Sequence, residues 1–467
     1  MTSTIRGPKS RPFNWDHLLP HGEFRDQILR TAAFLSERFS GHHARIGLWG
    51  ECTEGYLAAF LAILRAGHTA VPLDPRLGSH ELTDIVHSAK IAGLLVSRDF
   101  PIAYSAALGN TKIYPLSPYL RSKTCGGQDS GPPVADGADA AVMLCGSRCD
   151  RSTRMITFAL PSLIRHAQVV CSHLNVTAED AWLMSVPLHC VAGLVIPFRC
   201  LVSGASLRMC TARDPDEINR LIDTGRVSIV SATPDMFDKM LRRHGTHPYL
   251  GNLRAIFISG IVPELQLLRC PQACMVYGVA EAGSMVSCSR PGCTAEEHLS
   301  AGPVLPGMGV RIIGSDGKDV RRGERGRILV RGLDASGEGQ RAGWVQTEDY
   351  GYLDGHGYLH PEPHQDDAAG SGENSVCTVE IQTLLERHPR VQRVIVVSME
   401  DKEWGQVPAA LVVLTPGRPM EKTHLFQFLE GKLARYKFPK KIIFADALPL
   451  LSGGKPDLAA IRKLLKG

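Results

Sequence analysis

The sequence predicts a layered α/β protein in two parts, and three observations carry that prediction. Helices with a buried face alternate with short apolar strands through the first 263 residues, the rhythm of a parallel sheet covered by helices. From Ser300 to Gly332 apolar and polar residues alternate between Gly/Asp turns, which reads as a small β region. A polar, Gly- and Pro-rich run, Pro361 to Ser375, then precedes a new amphipathic helix. Runs of that kind sit between domains, although the same composition suits a plain surface loop. At 467 residues the chain is also too long for one core.

Composition narrows the function classes. With 44% hydrophobic and 21% charged residues the chain is globular, not disordered. A net charge of +5 suits acidic small molecules or nucleotides and is too weak to argue for nucleic acid. No apolar run reaches the roughly 18 residues of a membrane span, and the first residues lack a signal-peptide core, so no membrane partner and a cytoplasmic location are expected. Among 13 cysteines the pairs Cys145/Cys149 and Cys270/Cys274 have C-x3-C spacing, not the spacing of a zinc site. Reduced, mostly buried thiols are expected.

In chain order, residues 22 to 40 carry apolar positions at helical spacing, and Arg45 to Trp49 reads as a strand. Glu54 to Gly67 is a buried-face helix ended by glycine, and His68 to Asp74 a strand running into a turn. Residues 122 to 139, rich in Gly, Ser, Pro and Asp, read as a surface linker. The strand Ala140 to Leu144 leads into a loop rich in serine and arginine that holds Ser147, Ser152, Thr153 and Arg154. Asp180 to Pro187 is a strand followed by His189 and Cys190. Ile222 to Pro234 and Leu253 to Pro263 repeat the helix-to-strand rhythm, the latter with Ser259 and Gly260. Val391 to Leu414 gives two short strands around Asp401 to Gln406.

The stretch Ala342 to Glu380 carries the most specific signal. Trp344, then Thr347, Glu348 and Asp349, then Gly351 to Leu359, then Pro363 to Asp367 and Ser371 to Ser375 stand in a fixed order. This resembles the adenylate-forming superfamily of acyl- and aryl-CoA synthetases, luciferases and peptide-synthetase adenylation domains. That family shows Trp, Thr-Gly-Asp, Gly-x-x-Asp-x-x-Gly-Tyr, Gly-Arg-x-Asp-Asp and a Gly-Gly-Glu-Asn-Val turn. Two further stretches agree. Tyr277, Gly278, Ala280 and Glu281 resemble Tyr-Gly-x-Thr-Glu, and Leu448 to Lys455 resembles Leu-Pro-x-x-x-x-Gly-Lys.

The resemblance implies a large N-terminal domain, residues 1–365, of layered α/β sheets with a small β-barrel region. A small α+β C-terminal lid, residues 366–467, would turn about Asp366. It implies adenylation of a small carboxylic acid by ATP and transfer to a thiol such as CoA or a carrier protein. Lys455 would be the catalytic lysine, Asp349 and His364 the ribose contacts, and Glu281 the Mg²⁺ ligand. Tyr277 and Gly278 would pack on adenine with Ser259 and Gly260. Ser147, Ser152, Thr153 and Arg154 would hold the phosphates of ATP or AMP, and His189, Cys190 and Ala280 would line the acid pocket.

The departures matter as much. Arg148 and Arg151 replace glycines of the phosphate loop, Arg154 its lysine, and His364 an arginine. Two other readings therefore stay open: a relative that activates nitrite for diazotisation of an aryl amine, and a non-catalytic relative with a decayed phosphate loop.

Overall fold

The computed structural model describes residues 22–39, 43–97, 99–109, 111–116, 140–146, 154–210, 214–245, 247, 249, 252–260, 262, 264–314, 316–332, 343–362, 368–369, 376–401, 404–415, 417, 420–449 and 456–466. The first sheet comprises β1 (Arg45–Trp49), β2 (Thr69–Leu73), β3 (Gly93–Val96), β4 (Lys112–Pro115), β5 (Ala140–Gly146) and β6 (Arg154–Ala159). Their order is β4-β3-β1-β2-β5-β6, parallel except for the β5/β6 hairpin. β2 and β3 are buried at every position, as continuous apolar runs in a parallel sheet should be.

A second sheet contains β7 (Ala181–Met184), β8 (Ser206–Met209), β9 (Ile229–Ala232), β10 (Ala255–Ser259), β11 (Ala273–Tyr277) and β12 (Ser287–Cys288). The order is β12-β11-β10-β9-β7-β8, with only β12 antiparallel. The helix Glu54–Arg65 is buried at every position from Tyr56 onward, because both sheets contribute to the core around it. Its Phe60 meets Phe198 of the helix Val191–Ser203 edge-on at 6.2 Å. Thr53 caps it, accepting a hydrogen bond from the Tyr56 N–H.

The predicted small β region is an antiparallel sheet of β13 (Gly309–Ile313), β14 (Gly326–Arg331), β15 (Val345–Leu353) and β16 (Leu359–Glu362). Isolated bridges from Ser287 to Val304 and from Pro303 to Tyr358 tie it to the second sheet. Asp354 builds its last turn, accepting from the N–H groups of His356 and Tyr358.

The C-terminal part has a short pair, β17 (Ala368–Ala369) with β18 (Val376–Cys377). Its main sheet is β19 (Val391–Asp401), β20 (Gly405–Leu414) and β21 (Lys441–Ala445). The two strands expected to be short are 11 and 10 residues long. Alternate positions of β20 feed opposite cores: Ala410 and Val412 pack with the helices Thr378–Leu385 and Lys422–Leu429, Ala409 and Leu411 with the helix Leu458–Lys466. The expected boundary at residues 365/366 lies outside the described residues. The ten cysteines whose side chains are described are all free, and no described helix is long and apolar enough to cross a membrane.

Among the described residues Trp182 is the largest fully buried side chain, with its indole N–H donating to Ser231 Oγ at 3.1 Å. Trp182→Ala is expected to cost about 3–5 kcal/mol of stability by cavity formation. Urea unfolding followed by far-UV dichroism would measure it, and a loss below about 1 kcal/mol would show that this sheet's core tolerates the void.

Candidate active site

In an open α/β sheet, ligands settle beyond the carboxyl ends of the strands. Here those ends converge on one cavity of about 600 Å³. Asp74 follows β2, Thr233 follows β9, Ser259 ends β10, and Gly278 follows β11; all four line it. Leu144 and Cys145 of β5 add a wall, and His189 and Cys190, just before the helix Val191–Ser203, add another. The C-terminal part closes the remaining side with Glu380, Leu433, Tyr436 and Lys437.

Two glycines are required by close approach. A Cβ at Gly278 would lie 1.3 Å from the carbonyl oxygen of Ser284, so only glycine lets the chain turn back there. Gly260 has φ +133°, with the Pro234 ring 2.9 Å from where a Cβ would stand. Ser284, a cavity-lining residue, itself takes a left-handed φ of 88°.

Beside the cavity the Tyr277 hydroxyl donates to Asp349 Oδ2 at 2.7 Å. Burial, then the Asp349 charge, pushes the Tyr277 phenol far above its ordinary range, so it stays a donor. Thr347 supports the pair from below: its hydroxyl donates to the Ile328 carbonyl and accepts from the Asp349 N–H. Glu281 lies on the single 3₁₀ turn Ala280–Ala282 that follows, partly exposed.

At another wall of the cavity His189 Nε2 stands 3.7 Å from Asp74 Oδ2. Burial would raise the Asp74 carboxyl, but hydrogen bonds from Arg76 and the charge of His189 hold it below the usual range. Deeper in, Arg199 lines the cavity from the apolar helix Val191–Ser203 and is 2% exposed. Its Nε and Nη2 meet no hydrogen-bond acceptor among the described residues, and its guanidinium lies 5.2 Å from the Trp182 ring. Burial lowers its pKa to about 10, which leaves it charged at neutral pH.

The family model described as AMP-binding enzyme matches residues 11–138 and 157–336, and that of its C-terminal domain matches 380–455. The chain belongs to the AMP-binding enzyme family. The break between 138 and 157 takes in the loop that holds Arg148, Arg151 and Arg154. Among curated proteins it is 28% identical to an indoleacetate–CoA ligase of Aromatoleum aromaticum, over 96% of this chain and 93% of that one. It is 32% identical to a 2-succinylbenzoate–CoA ligase of Geobacillus kaustophilus, a match spanning 63% of each chain.

Among solved structures, the o-succinylbenzoate CoA synthetase of Bacillus subtilis shares the fold at 23% identity, covering 95% of this chain and 92% of that one. The TM-score is 0.84 for a double mutant bound with its product analogue and 0.68 for the complex with the acyl-adenylate intermediate.

Of the expected site residues, the fold brings His189, Cys190, Ser259, Gly278 and Ala280 onto one cavity and sets Tyr277 against Asp349. Gly260 and Glu281 adjoin this group in the chain. Arg154 opens β6, paired with Gly146 across the hairpin that leads to the predicted phosphate loop. Ser147, Ser152, Thr153, His364 and Lys455 lie outside the described residues. Sequence reasoning missed Asp74, Arg199 and Ser284. An arginine inside the apolar run of residues 191–203 was the available signal for one of them.

His166 packs behind this wall, 3% exposed, its Nε2 3.1 Å from the Met285 carbonyl oxygen. Burial, then the Arg199 charge, lowers its pKa to about 3. The unfolded chain protonates near pH 6.5, while the folded chain stays neutral until about pH 3. Stability is therefore complete above pH 6.5 and falls as pH drops toward 3, by up to about 1.4 kcal/mol per pH unit. Thermal midpoints of wild type and His166→Gln across that window are expected to diverge, with the variant losing the slope.

Proposed function

We propose that this chain is an AMP-forming acid ligase: it activates a small carboxylic acid with ATP and passes the acyl group to a thiol such as CoA. The observation that carries this reading is the cavity at the carboxyl ends of the parallel strands, lined by His189, Cys190, Ser259, Gly278 and Ala280, with Tyr277 hydrogen-bonded to Asp349 beside it. Acid–CoA ligases among the curated relatives support it. The two working parts are residues 1–365 and 366–467.

In the first half-reaction the carboxylate oxygen bonds to the α-phosphorus and pyrophosphate leaves. Asp349 holds the ribose hydroxyls through its carboxylate, with the Tyr277 ring against adenine. Ser147, Ser152, Thr153 and Arg154 contact the phosphates, and His364 the ribose. Lys455 neutralises charge gathering on the carboxylate and α-phosphate. Glu281 is one accessible carboxylate, which fits a Mg²⁺ ion held mainly by substrate phosphates; bound there, the ion would offset phosphate charge. His189, Cys190 and Ala280 shape the acid pocket. Arg199 lines that cavity with no acceptor among the described residues for two of its nitrogens, which favours an acid carrying a second anionic group.

A second reading, a relative that binds nucleotide without catalysis, is favoured by the interrupted match at the phosphate loop. Calorimetry separates the two. An active ligase binds both ATP and AMP at low salt, and binding of AMP alone would support the non-catalytic reading. Neutralising Arg154 is expected to weaken ATP far more than AMP, since only ATP presents β- and γ-phosphates.

Asp349→Ala is expected to raise the dissociation constant for AMP about tenfold or more, as loss of charge-assisted hydrogen bonds worth about 1.5–3 kcal/mol. Unchanged AMP affinity would reject the ribose assignment. Lys455→Ala is expected to abolish acid-dependent pyrophosphate exchange while sparing AMP binding, and exchange at the wild-type rate would remove the lysine from the reaction.

A further inference from the structure

Lys437 stands where the two parts of the chain meet. It lies in the 3₁₀ turn Arg435–Lys437, and its side chain is 14% exposed. Nζ donates to Glu81 Oε1 at 2.8 Å and to the two Glu380 oxygens at 3.1 and 3.2 Å. Glu81 belongs to the first turn of the helix Ser79–Ser88 in the large part, and Glu380 to the helix Thr378–Leu385 in the small one. One ammonium thus serves two carboxylates, and burial pushes the Glu380 carboxyl above its ordinary range.

Three more contacts cross the same seam. The Arg76 guanidinium lies 4.1 Å from the Tyr436 ring, the His80 N–H donates to the Gly431 carbonyl at 3.2 Å, and Lys239 Nζ lies 5.2 Å from the Trp404 ring. Arg76 is itself held by Asp74, which faces His189, so the seam is continuous with the acid-pocket wall. Ion pairs this sheltered escape most of the screening that makes surface pairs weak. The whole-chain match to the Bacillus subtilis synthetase is 0.84 with a product analogue bound and 0.68 with acyl-adenylate bound, at equal coverage. The arrangement of the two parts here is thus closer to the former.

We propose that Lys437 is a positioning residue for the thiol-transfer half-reaction, holding the C-terminal part in this orientation by bridging Glu81 and Glu380. The inference rests on the acid-ligase reading above. In that step the thiol sulfur bonds to the acyl carbon, the acyl–oxygen bond to AMP breaks, AMP leaves with the electron pair, and the thiol proton passes to solvent. Lys437 touches none of these atoms; it fixes the wall against which they meet.

The test has two arms on the full chain. Hydrogen exchange of the His80 amide, which crosses the seam, needs no substrate. Glu81→Gln, which leaves the Lys437–Glu380 pair intact, and Lys437→Met are both expected to speed it about tenfold or more. The double swap Glu81→Lys with Lys437→Glu, which keeps an opposite-charge pair across the seam but sets the new carboxylate beside Glu380, is expected to restore it in part. In the second arm 2-succinylbenzoate and indoleacetate serve as probe acids. Pyrophosphate exchange is expected to stay within twofold of wild type while CoA-thioester formation falls about tenfold or more.

Unchanged His80 exchange in both single variants, or equal losses in the two half-reactions, overturns the proposal. Absence of pyrophosphate exchange in the wild type with both acids counts against the acid-ligase reading instead, and the His80 arm still decides the bridge.

Discussion

Asp180 sits immediately before β7, and its carboxylate is shared among three neighbours. It accepts from the Thr177 N–H, the Ser228 hydroxyl and the Arg254 guanidinium. The Ser228 hydroxyl also accepts from the Ala181 N–H, so β7, β9 and β10 start at one level. Strands that start level and run parallel also finish level. That is why Val186, Thr233 and Ser259, far apart in sequence, border the same cavity. Removing the carboxylate would leave a half-buried guanidinium without its partner, and the alignment of the cavity floor depends on that single group.

Much of this was legible in the sequence where one local rule sufficed. Thr69–Leu73 is an apolar run, and it is a fully buried strand. Gly278 could be read because its chemistry is its own: no other residue fits against Ser284. Asp349 was legible through its motif, although not its phenol partner, since Tyr277 lies 72 residues away. What stayed hidden were pairings that only the closed fold creates. Nothing near Asp74 in the chain announces His189, and nothing near Lys437 announces Glu81. Arg199 was visible as a letter but not as a site, because an arginine in an apolar helix acquires meaning only once the fold shows two of its nitrogens without an acceptor among the described residues.

Arg199 and Lys437 are opposite solutions to burying a cation. Lys437 is enclosed with more negative charge than it can neutralise, whereas Arg199 rests among Trp182, Cys171 and Cys288. Burying a charge without full hydrogen bonding is costly. Arg199 therefore costs the fold stability, and its retention at a cavity wall is intelligible as service to a ligand. Lys437 joins two bodies, so its energy belongs to their relative placement more than to either core.

Among the described residues, the large part's hydrophobic clusters draw none from beyond Leu359. The C-terminal sheet, by contrast, needs β21, which reaches β20 only after the crossover helix Lys422–Leu429 has been made. On a ribosome, which releases the chain from its N-terminus, the first body can close its core while the second is still unsynthesised. The floor of the cavity is then built before its cover exists. For that interval the cavity stands open to water and to cellular nucleotides, and a nascent chain could take up a nucleotide before it is able to use one.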